Sequence, residues 1–296
     1  MSNIQSLFQL SSYIPPSYTD IVEGFLFEHA PSNWVLEVNH LTAEGTLNGF
    51  FSNKAKRDQA RLLIEKTIGA LVEFQFSEDE MHDEDWKESY KNHFSPWSYK
   101  GIHFIPIWLK NELHVPNNEK SLFLDPGMAF GTGIHESTRM CLEFLIEDKN
   151  CQPNPNNLLD IGCGSGILSL LSVLIGFQQV VGIDNDEDAV RISKENASLN
   201  NLKGKIAFNK LDLFDLKQPI GNFDCVVANI QADILISNAD KIIINAHNDS
   251  TIILSGILTN ESHQVLDVYM QKGKFKPSDC HIKTMGEWSS ILFRRT

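Results

Sequence analysis

The hydrophobic positions in the second half of the chain follow two alternating patterns. Short runs of consecutive apolar residues are each followed by a segment in which apolar residues recur every three or four positions. The first pattern is typical of buried strands and the second of amphipathic helices. Strands that alternate with helices predict an α/β fold with a doubly wound, Rossmann-like parallel sheet, whose ligand lies at the carboxyl ends of the strands. The predicted strands cover 158–161, 180–184, 205–209, 223–230 and 251–258, the helices include 187–199, 234–245 and 261–272, and a hairpin covers 279–294.

The first 76 residues show shorter elements in a different order, β-α-β-β-α-β, which is typical of a small ferredoxin-like α+β domain. No group of side chains in this part resembles a catalytic site, so we interpret it as a recognition module rather than as a purely structural extension. A charge-rich segment over 77–94, acidic first and basic later, predicts a linker helix, and the second domain is predicted over 95–296. The strands of the first domain are predicted at 6–10, 34–38, 47–51 and 71–76, and its second helix at 54–68.

Composition narrows the classes of function. The 296 residues are 42% hydrophobic and 21% charged, which is ordinary for a globular protein. The formal net charge of −13 argues against a surface that binds nucleic acid. There is no apolar run long enough to cross a bilayer and no signal-peptide pattern, so we expect a cytoplasmic, monomeric protein without a membrane partner. The five cysteines form no CxxC pair and the histidines show no metal-ligand spacing, so we expect reduced thiols and no metal.

A glycine-rich turn follows the first strand of the predicted sheet. Gly162, Gly164 and Gly166 stand at alternate positions between the strand and a helix. Such a turn lets the backbone approach a ligand closely, and the helix N-terminus offers unpaired N–H groups. The spacing is not that of a dinucleotide fingerprint, because its third glycine position is occupied by Ile167. The pattern Asp-x-Gly-x-Gly-x-Gly instead resembles motif I of class I S-adenosylmethionine-dependent methyltransferases.

Two acids follow the next two strands. Asp184 ends its strand about twenty residues beyond the glycines, where a carboxylate can accept both hydroxyls of a ribose. The alternative for Asp184 is a cap for the following helix. Asp212 follows the third strand, where it either meets an adenine amino group or serves as a turn residue.

A second informative stretch covers 125–138. Its three glycines and its proline predict an irregular loop, which can fold over a cofactor or simply be a long turn before a helix. Thr138 stands in the first turn of that helix. We expect His135 to make a local hydrogen bond rather than to act as a base.

The combined motifs resemble those of the PrmA family, the bacterial methyltransferases that modify ribosomal protein L11. The resemblance implies the methyltransferase fold, S-adenosylmethionine as cofactor, and methylation of lysine side chains and an N-terminal amine of a protein recognised by the N-terminal domain. It also implies cofactor contacts from Thr138, Gly162, Gly164, Asp184 and Asp212. The motifs are DPGMAFGTGIHEST at 125–138, DIGCGSGIL at 160–168, GID at 182–184, ANI at 228–230 and LSGIL at 254–258.

Asn229, at the end of the fourth strand, is our candidate for the catalytic residue and also borders the cofactor site. Methyl transfer needs a neutral amine held in line, and the Asn229 side-chain oxygen is a suitable acceptor for its N–H groups. The alternative is a strand-end cap.

Other functions considered are methylation of lysine in another protein, an RNA methyltransferase, a nicotinamide-dependent oxidoreductase and a module that binds the cofactor without turnover. The acidic net charge disfavours an RNA methyltransferase. The glycine spacing disfavours an oxidoreductase, and the intact acid and glycine positions disfavour a module without turnover.

Overall fold

The structure is a computed structural model, and it describes residues 7–29, 34–38, 42, 44–81, 95–125, 135–151 and 156–294. The chain divides into two compact units, residues 1–93 and residues 94–296. Within the described parts of the chain, no helix is both long and apolar enough to span a membrane.

The first unit is a four-stranded antiparallel sheet with two helices. The strand order β2-β3-β1-β4, with the chain order β-α-β-β-α-β, is the ferredoxin-like arrangement that the sequence predicts. One face of the sheet carries Leu10, Leu47 and Phe51, which pack with Ile64 and Ile68 of the second helix in a buried core. The elements are β1 (Leu7–Ile14), α1 (Thr19–His29), β2 (Trp34–Val38), β3 (Gly45–Phe51), α2 (Lys54–Ile68) and β4 (Ser77–Met81).

The last strand of this unit differs from the prediction. Residues 71–76 are irregular, and residues 77–81 pair with β1 instead, from Ser11↔Ser77 to Leu7↔Met81. The apolar side chains of the irregular segment still reach the core, since Val72 is buried and Phe74 and Phe76 pack against it. The predicted strand at 71–76 is therefore wrong, because alternation showed which side chains face the core but not which residues pair.

The predicted linker helix is also wrong over its first five residues, which form β4. Two of their three carboxylates are neutralised from α2, and the first of these is Glu78, which pairs with Arg57 and Arg61 at 3.0 and 2.8 Å. Glu80 pairs with Lys54 at 3.5 Å. An acidic segment can thus be an edge strand when a basic helix lies beside it. The rest of that prediction, 82–94, lies outside the described residues.

The second unit contains a seven-stranded sheet in the order β10-β9-β8-β11-β12-β14-β13, parallel except for the antiparallel β14. This is the doubly wound fold predicted above. A smaller sheet of three strands, β5 (Trp97–Tyr99), β6 (Ile102–Pro106) and β7 (Lys120–Leu124), accompanies it. The strands are β8 (Asn157–Ile161), β9 (Gln179–Asp184), β10 (Ile206–Lys210), β11 (Phe223–Asn229), β12 (Ala246–Leu258), β13 (Cys280–Met285) and β14 (Trp288–Arg294). The helices are α3 (Glu136–Cys151), α4 (Ile167–Ile175), α5 (Glu187–Leu199), α6 (Ala232–Ser237), α7 (Ala239–Ile243) and α8 (Ser262–Gly273).

The single helix predicted over 234–245 is two short helices, α6 and α7. Asn238, between them, leaves the helical region with φ −112° and ψ 17°, and its side-chain amide donates to the Ile234 carbonyl at 3.1 Å. Apolar periodicity continues across both helices, so it does not reveal the break.

The order of the strands reverses between β8 and β11. The chain runs outward from β8 through β9 to β10 and then returns to place β11 on the other side of β8. Loops that leave neighbouring strands in opposite directions open a crevice at their carboxyl ends, where this class of sheet binds its ligands. The glycine turn follows β8 and Asn229 ends β11, so the topology brings both to this crevice.

Candidate functional site

A cavity of about 520 Å³ lies at the carboxyl ends of the parallel strands of the second unit. Its wall is mainly apolar, with Ile161, Ile183, Leu211, Leu213, Ile230 and Ile234 contributing side chains. A cavity of this size suits a small organic ligand. Five of the six predicted site residues line it, namely Gly162, Gly164, Asp184, Asp212 and Asn229.

The glycine turn forms one wall. Gly162 has φ +70°, in the left-handed region that a side chain rarely adopts. A Cβ at this position would also overlap the Ile230 Cγ2 atom. The turn after β8 and the loop after β11 therefore approach each other more closely than a side chain at 162 would allow.

Asp184 connects this turn to the end of β9. Its Oδ2 accepts a hydrogen bond from the Gly164 N–H at 2.9 Å, and its Oδ1 accepts one from the Asp186 N–H at 3.0 Å. A carboxylate has about four lone-pair positions, so both oxygens keep a further acceptor position toward the cavity. The cap alternative is wrong, because the helix that follows is capped by Asp186, while Asp184 ties the glycine turn to the end of β9 and can still bind a ligand.

Asp212 and Phe214 form one end of the cavity. Asp212 Oδ1 accepts from the Phe214 N–H at 2.8 Å, which leaves the other carboxylate oxygen available. The Phe214 ring is 56% exposed although it lines the cavity. An open aromatic ring beside a carboxylate suits a flat base with an amino group.

Asn229 lines the cavity, and its side-chain amide has one paired atom and one unpaired atom. Its Nδ2 donates to Thr138 Oγ1 at 3.0 Å. Its Oδ1 is buried and has no hydrogen-bond partner among the described residues. An unpaired buried acceptor is costly unless a ligand supplies a donor. Asn229 therefore keeps one unused oxygen acceptor beside the cavity.

Thr138 does not line the cavity, contrary to the predicted cofactor contact from a covering loop. It lies in the first turn of α3, is fully buried, and holds the Asn229 amide through its hydroxyl. Thr138 thus positions Asn229. The loop predicted before it, 126–134, lies outside the described residues.

Asp160 is a buried acid that the sequence prediction left without a role. It is fully buried, and its Oδ2 accepts from the Ser169 N–H and hydroxyl at 3.1 and 2.7 Å. Its Oδ1 has no partner among the described residues. Burial raises the pKa of Asp160 to about 7, and nearby Asp184 adds to the rise while the Ser169 hydrogen bonds oppose it. The sequence does mark this residue, because an acid stands within the apolar run at 158–161.

His135 and Trp288 form the other end of the cavity. Their rings meet edge to face, with centroids 4.7 Å apart and planes at 67°. His135 Nδ1 lies 2.8 Å from Ser137 Oγ, which is the local hydrogen bond expected from the sequence. Burial lowers the pKa of His135, so the ring is neutral at pH 7. Trp288 begins β14, and no local motif marks it as part of the site.

The arrangement fits a nucleoside cofactor that carries a positive charge. The glycine turn leaves room for backbone contact, Asp184 on the cavity wall keeps acceptor capacity, and Asn229 holds an unpaired oxygen. Among the described residues, no group of three His, Cys, Asp or Glu side chains could hold a metal ion.

Comparisons of this chain with family models, with known proteins and with solved structures agree on one family. The model of the family described as "Ribosomal protein L11 methyltransferase (PrmA)" matches residues 23–296. A ribosomal protein L11 methyltransferase of Ruminiclostridium cellulolyticum is 37% identical over 218 residues, which are 73% of this chain and 66% of that protein. One of Clostridium perfringens is 34% identical over 280 residues, 90% of this chain and 85% of that protein. The chain therefore spans just under two thirds of the former relative. A crystal structure of a ribosomal protein L11 methylase from Lactobacillus delbrueckii subsp. bulgaricus, 25% identical, covers 69% of this chain and 100% of that chain with a TM-score of 0.58.

Asp160 predicts a pH dependence of stability. Its pKa rises from 3.8 to about 7 on folding, so the folded protein binds the proton more tightly and loses stability as pH increases through that interval. Replacing Asp160 with Asn removes this titration. Between about pH 5 and about pH 8, we expect the parent to lose roughly 2 kcal/mol of unfolding free energy relative to Asp160→Asn. Denaturant unfolding at both pH values measures the difference, with exposed Asp215→Asn as control. If the unfolding free energies of Asp160→Asn and Asp215→Asn changed equally with pH, the raised pKa could not belong to Asp160.

Proposed function

This chain belongs to the ribosomal protein L11 methyltransferase (PrmA) family, and we propose that it transfers methyl groups from S-adenosylmethionine to amino groups of ribosomal protein L11. The family that the sequence motifs indicated is thereby confirmed. The observation that carries the proposed reaction is the unpaired Oδ1 of Asn229, which Thr138 holds in a cavity shared with the glycine turn. Because the proposed substrate is a ribosomal protein, we place the reaction in the cytoplasm.

We assign the residues as follows. The turn at Gly162 and Gly164 and the carboxylate of Asp184 would hold the amino-acid and ribose parts of S-adenosylmethionine, and Asp212 with Phe214 would hold its adenine. When bound, S-adenosylmethionine supplies a methyl group on a positively charged sulfur, which a neutral amine can displace in line.

Asn229 then has the task of orientation. Its Oδ1 accepts an N–H of the incoming amine, which points the nitrogen lone pair away from that contact. In this orientation the amide Nδ2 donates to Thr138 at 3.0 Å, which leaves Oδ1 as the unpaired atom that can accept from the amine. An amide does not take up a proton at neutral pH, so we assign the proton of the lysine ammonium to solvent. Placement of the reacting groups is the main catalytic contribution.

The outer face of the ferredoxin-like sheet supports recognition of a protein by the first unit. The helices cover the face with the core residues, and the opposite face carries the alternate side chains. Ser11 donates to Asn48 Oδ1 at 2.6 Å, and Gln9 Nε2 donates to the same oxygen at 3.2 Å. These polar groups satisfy one another, while Tyr13 and Val35 beside them are 55% and 48% exposed.

The charges on that face have a single sign. Glu37 on β2 and Asp79 on β4 project from it, since they are the register partners of Thr46 and Gln9. No Lys or Arg projects from the described part of this face, because the cations Lys54, Arg57 and Arg61 lie on α2. A ribosomal protein presents Lys and Arg for RNA phosphates, so an acidic face with exposed aromatic and apolar side chains complements it.

Methyl transfer to purified, unmethylated ribosomal protein L11 tests the proposed reaction. With radiolabelled S-adenosylmethionine, we expect label in the protein and a turnover number about 100-fold lower for Asn229→Ala, within the range that misplacement costs. Asn229→Asp keeps an oxygen acceptor and should retain part of the activity. Near-parental turnover of Asn229→Ala would move the acceptor site elsewhere.

Replacing Asp184 with Ala should weaken cofactor binding. Each lost hydrogen bond to a ribose hydroxyl contributes roughly 1.5–3 kcal/mol at most. Calorimetric titration with S-adenosylmethionine measures the loss, and thermal unfolding separates it from loosening of the Gly164 contact. Asp186→Ala is the matched control, because Asp186 is exposed and caps α5 without lining the cavity. Equal affinities of the two variants would exclude the ribose role.

Reversing the charge of the outer sheet face should weaken substrate recognition alone. For Glu37→Lys combined with Asp79→Lys, we expect the KM for ribosomal protein L11 to rise on the order of tenfold, with little change in kcat, because like charges then oppose the partner. The control is Glu23→Lys on the exposed side of α1. If both variants show the parental KM, the docking face lies elsewhere.

A further inference from the structure

The order of the strands gives the cavity two ends, one beyond β10 and the other at the start of β14, where Trp288 lies, and Asn229 on β11 is nearer to the second end. Phe214 and Asp212 mark the first end. At the other, Trp288 contacts His135, which precedes the Ser137-Thr138 pair that holds Asn229.

The strand pairing places Trp288 at the same end. It is the register partner of Leu258 on β12, two residues beyond Gly256. A Cβ at Gly256 would lie 3.1 Å from Asn229 Oδ1, so this part of β12 passes directly beside the acceptor oxygen. The indole and the acceptor oxygen thus border the same part of the cavity.

The chemistry of repeated methylation makes a second type of contact necessary. Each methyl group that an amine gains replaces one N–H, and a trimethylated ammonium has no donor left. Asn229 Oδ1 can therefore hold an amine or a methylamine but offers nothing to the quaternary product. An aromatic face attracts an alkylated ammonium without any N–H, and Trp is the most effective aromatic residue for this contact.

The surroundings of Trp288 suit a cation. The indole is half-buried, and a T-shaped contact with His135 takes up at most one of its two faces. His135 is neutral at pH 7 and does not repel a cation. The carboxylates among the described lining residues are Asp184 and Asp212, and both already accept backbone N–H groups.

We propose that the indole of Trp288, held by His135, receives the methylated ammonium and so determines how many methyl groups one amine accepts. This inference rests on the proposed function. It assigns the hairpin between β13 and β14 a part in product specificity.

Product distribution is the first test. Transfer to peptides that carry unmethylated, monomethylated or dimethylated lysine is followed by mass spectrometry at saturating S-adenosylmethionine. For Trp288→Leu, we expect the rate with dimethyllysine to fall roughly tenfold more than the rate with unmethylated lysine. Trp288→Phe should recover most of that difference. Phe214→Leu, at the other end of the cavity, is the matched control and should reduce the three rates in parallel. A parallel loss for Trp288→Leu would overturn the inference.

Binding without turnover is the second test, and it separates this inference from the proposed function. The probes are Nε-trimethyllysine amide and its uncharged tert-butyl isostere, measured by ligand-observed NMR with the protein loaded with S-adenosylhomocysteine. We expect the parent and Trp288→Phe to prefer the cation, and Trp288→Leu to lose that preference. An unchanged preference in Trp288→Leu overturns the inference even when the parent methylates lysine. Absence of transfer to any amine would contradict the proposed function, while the binding preference would still decide the role of Trp288.

Discussion

The geometry of the site depends on how tightly Ile230 is enclosed by its two neighbouring strands. On one side, a Cβ at Gly162 would overlap the Ile230 side chain, and on the other, a Cβ at Gly256 would lie 2.6 Å from the Ile230 carbonyl oxygen. Both glycines have positive φ, so the turn after β8 and the bulge of β12 are shaped to admit this loop. Asn229 immediately precedes Ile230, and its position is therefore set by backbone packing on both sides. A site fixed in this way needs little reorganisation when its ligands bind.

The same region keeps polar atoms without partners, which reduces the stability of the folded chain. Asp160 Oδ1 and Asn229 Oδ1 are both buried and unpaired among the described residues. Each such atom costs about 1–3 kcal/mol relative to a paired one. The surrounding strands offset that cost, since β8 and β11 are almost continuously buried and β12 is buried over residues 250–255. Stability is thus concentrated in the centre of the sheet and is lower at its carboxyl edge, where the candidate site lies.

Local signals in the sequence were sufficient for the fold class and for five of the residues that line the cavity. The glycine turn, Asp184 and Asn229 each end or follow an apolar strand, and strand ends of a doubly wound sheet meet at one edge, so their proximity follows from topology. Contacts between distant segments carried no such signal. Thr138 and Asn229 are 91 positions apart, and their hydrogen bond depends on how α3 packs on the sheet. The shift of β4 from 71–76 to 77–81 has the same origin, because pairing with β1 and α2 outweighs local alternation.

Strand β14 connects Trp288 with Asn229, the two residues to which the proposals above assign the amine. Its first residue is Trp288, on the cavity wall. Two residues later, Ser290 hydrogen-bonds to Ser255 Oγ, which also donates to the Ser137 carbonyl at 2.8 Å. Ser137 precedes Thr138, the residue that orients the Asn229 amide. A buried chain of hydroxyls therefore connects β14 through β12 to the first turn of α3. Because one short antiparallel strand carries both the aromatic wall and the contact that anchors the start of α3, it links the position of the indole to that of the acceptor oxygen, as the proposed role in successive methylation of one amine requires.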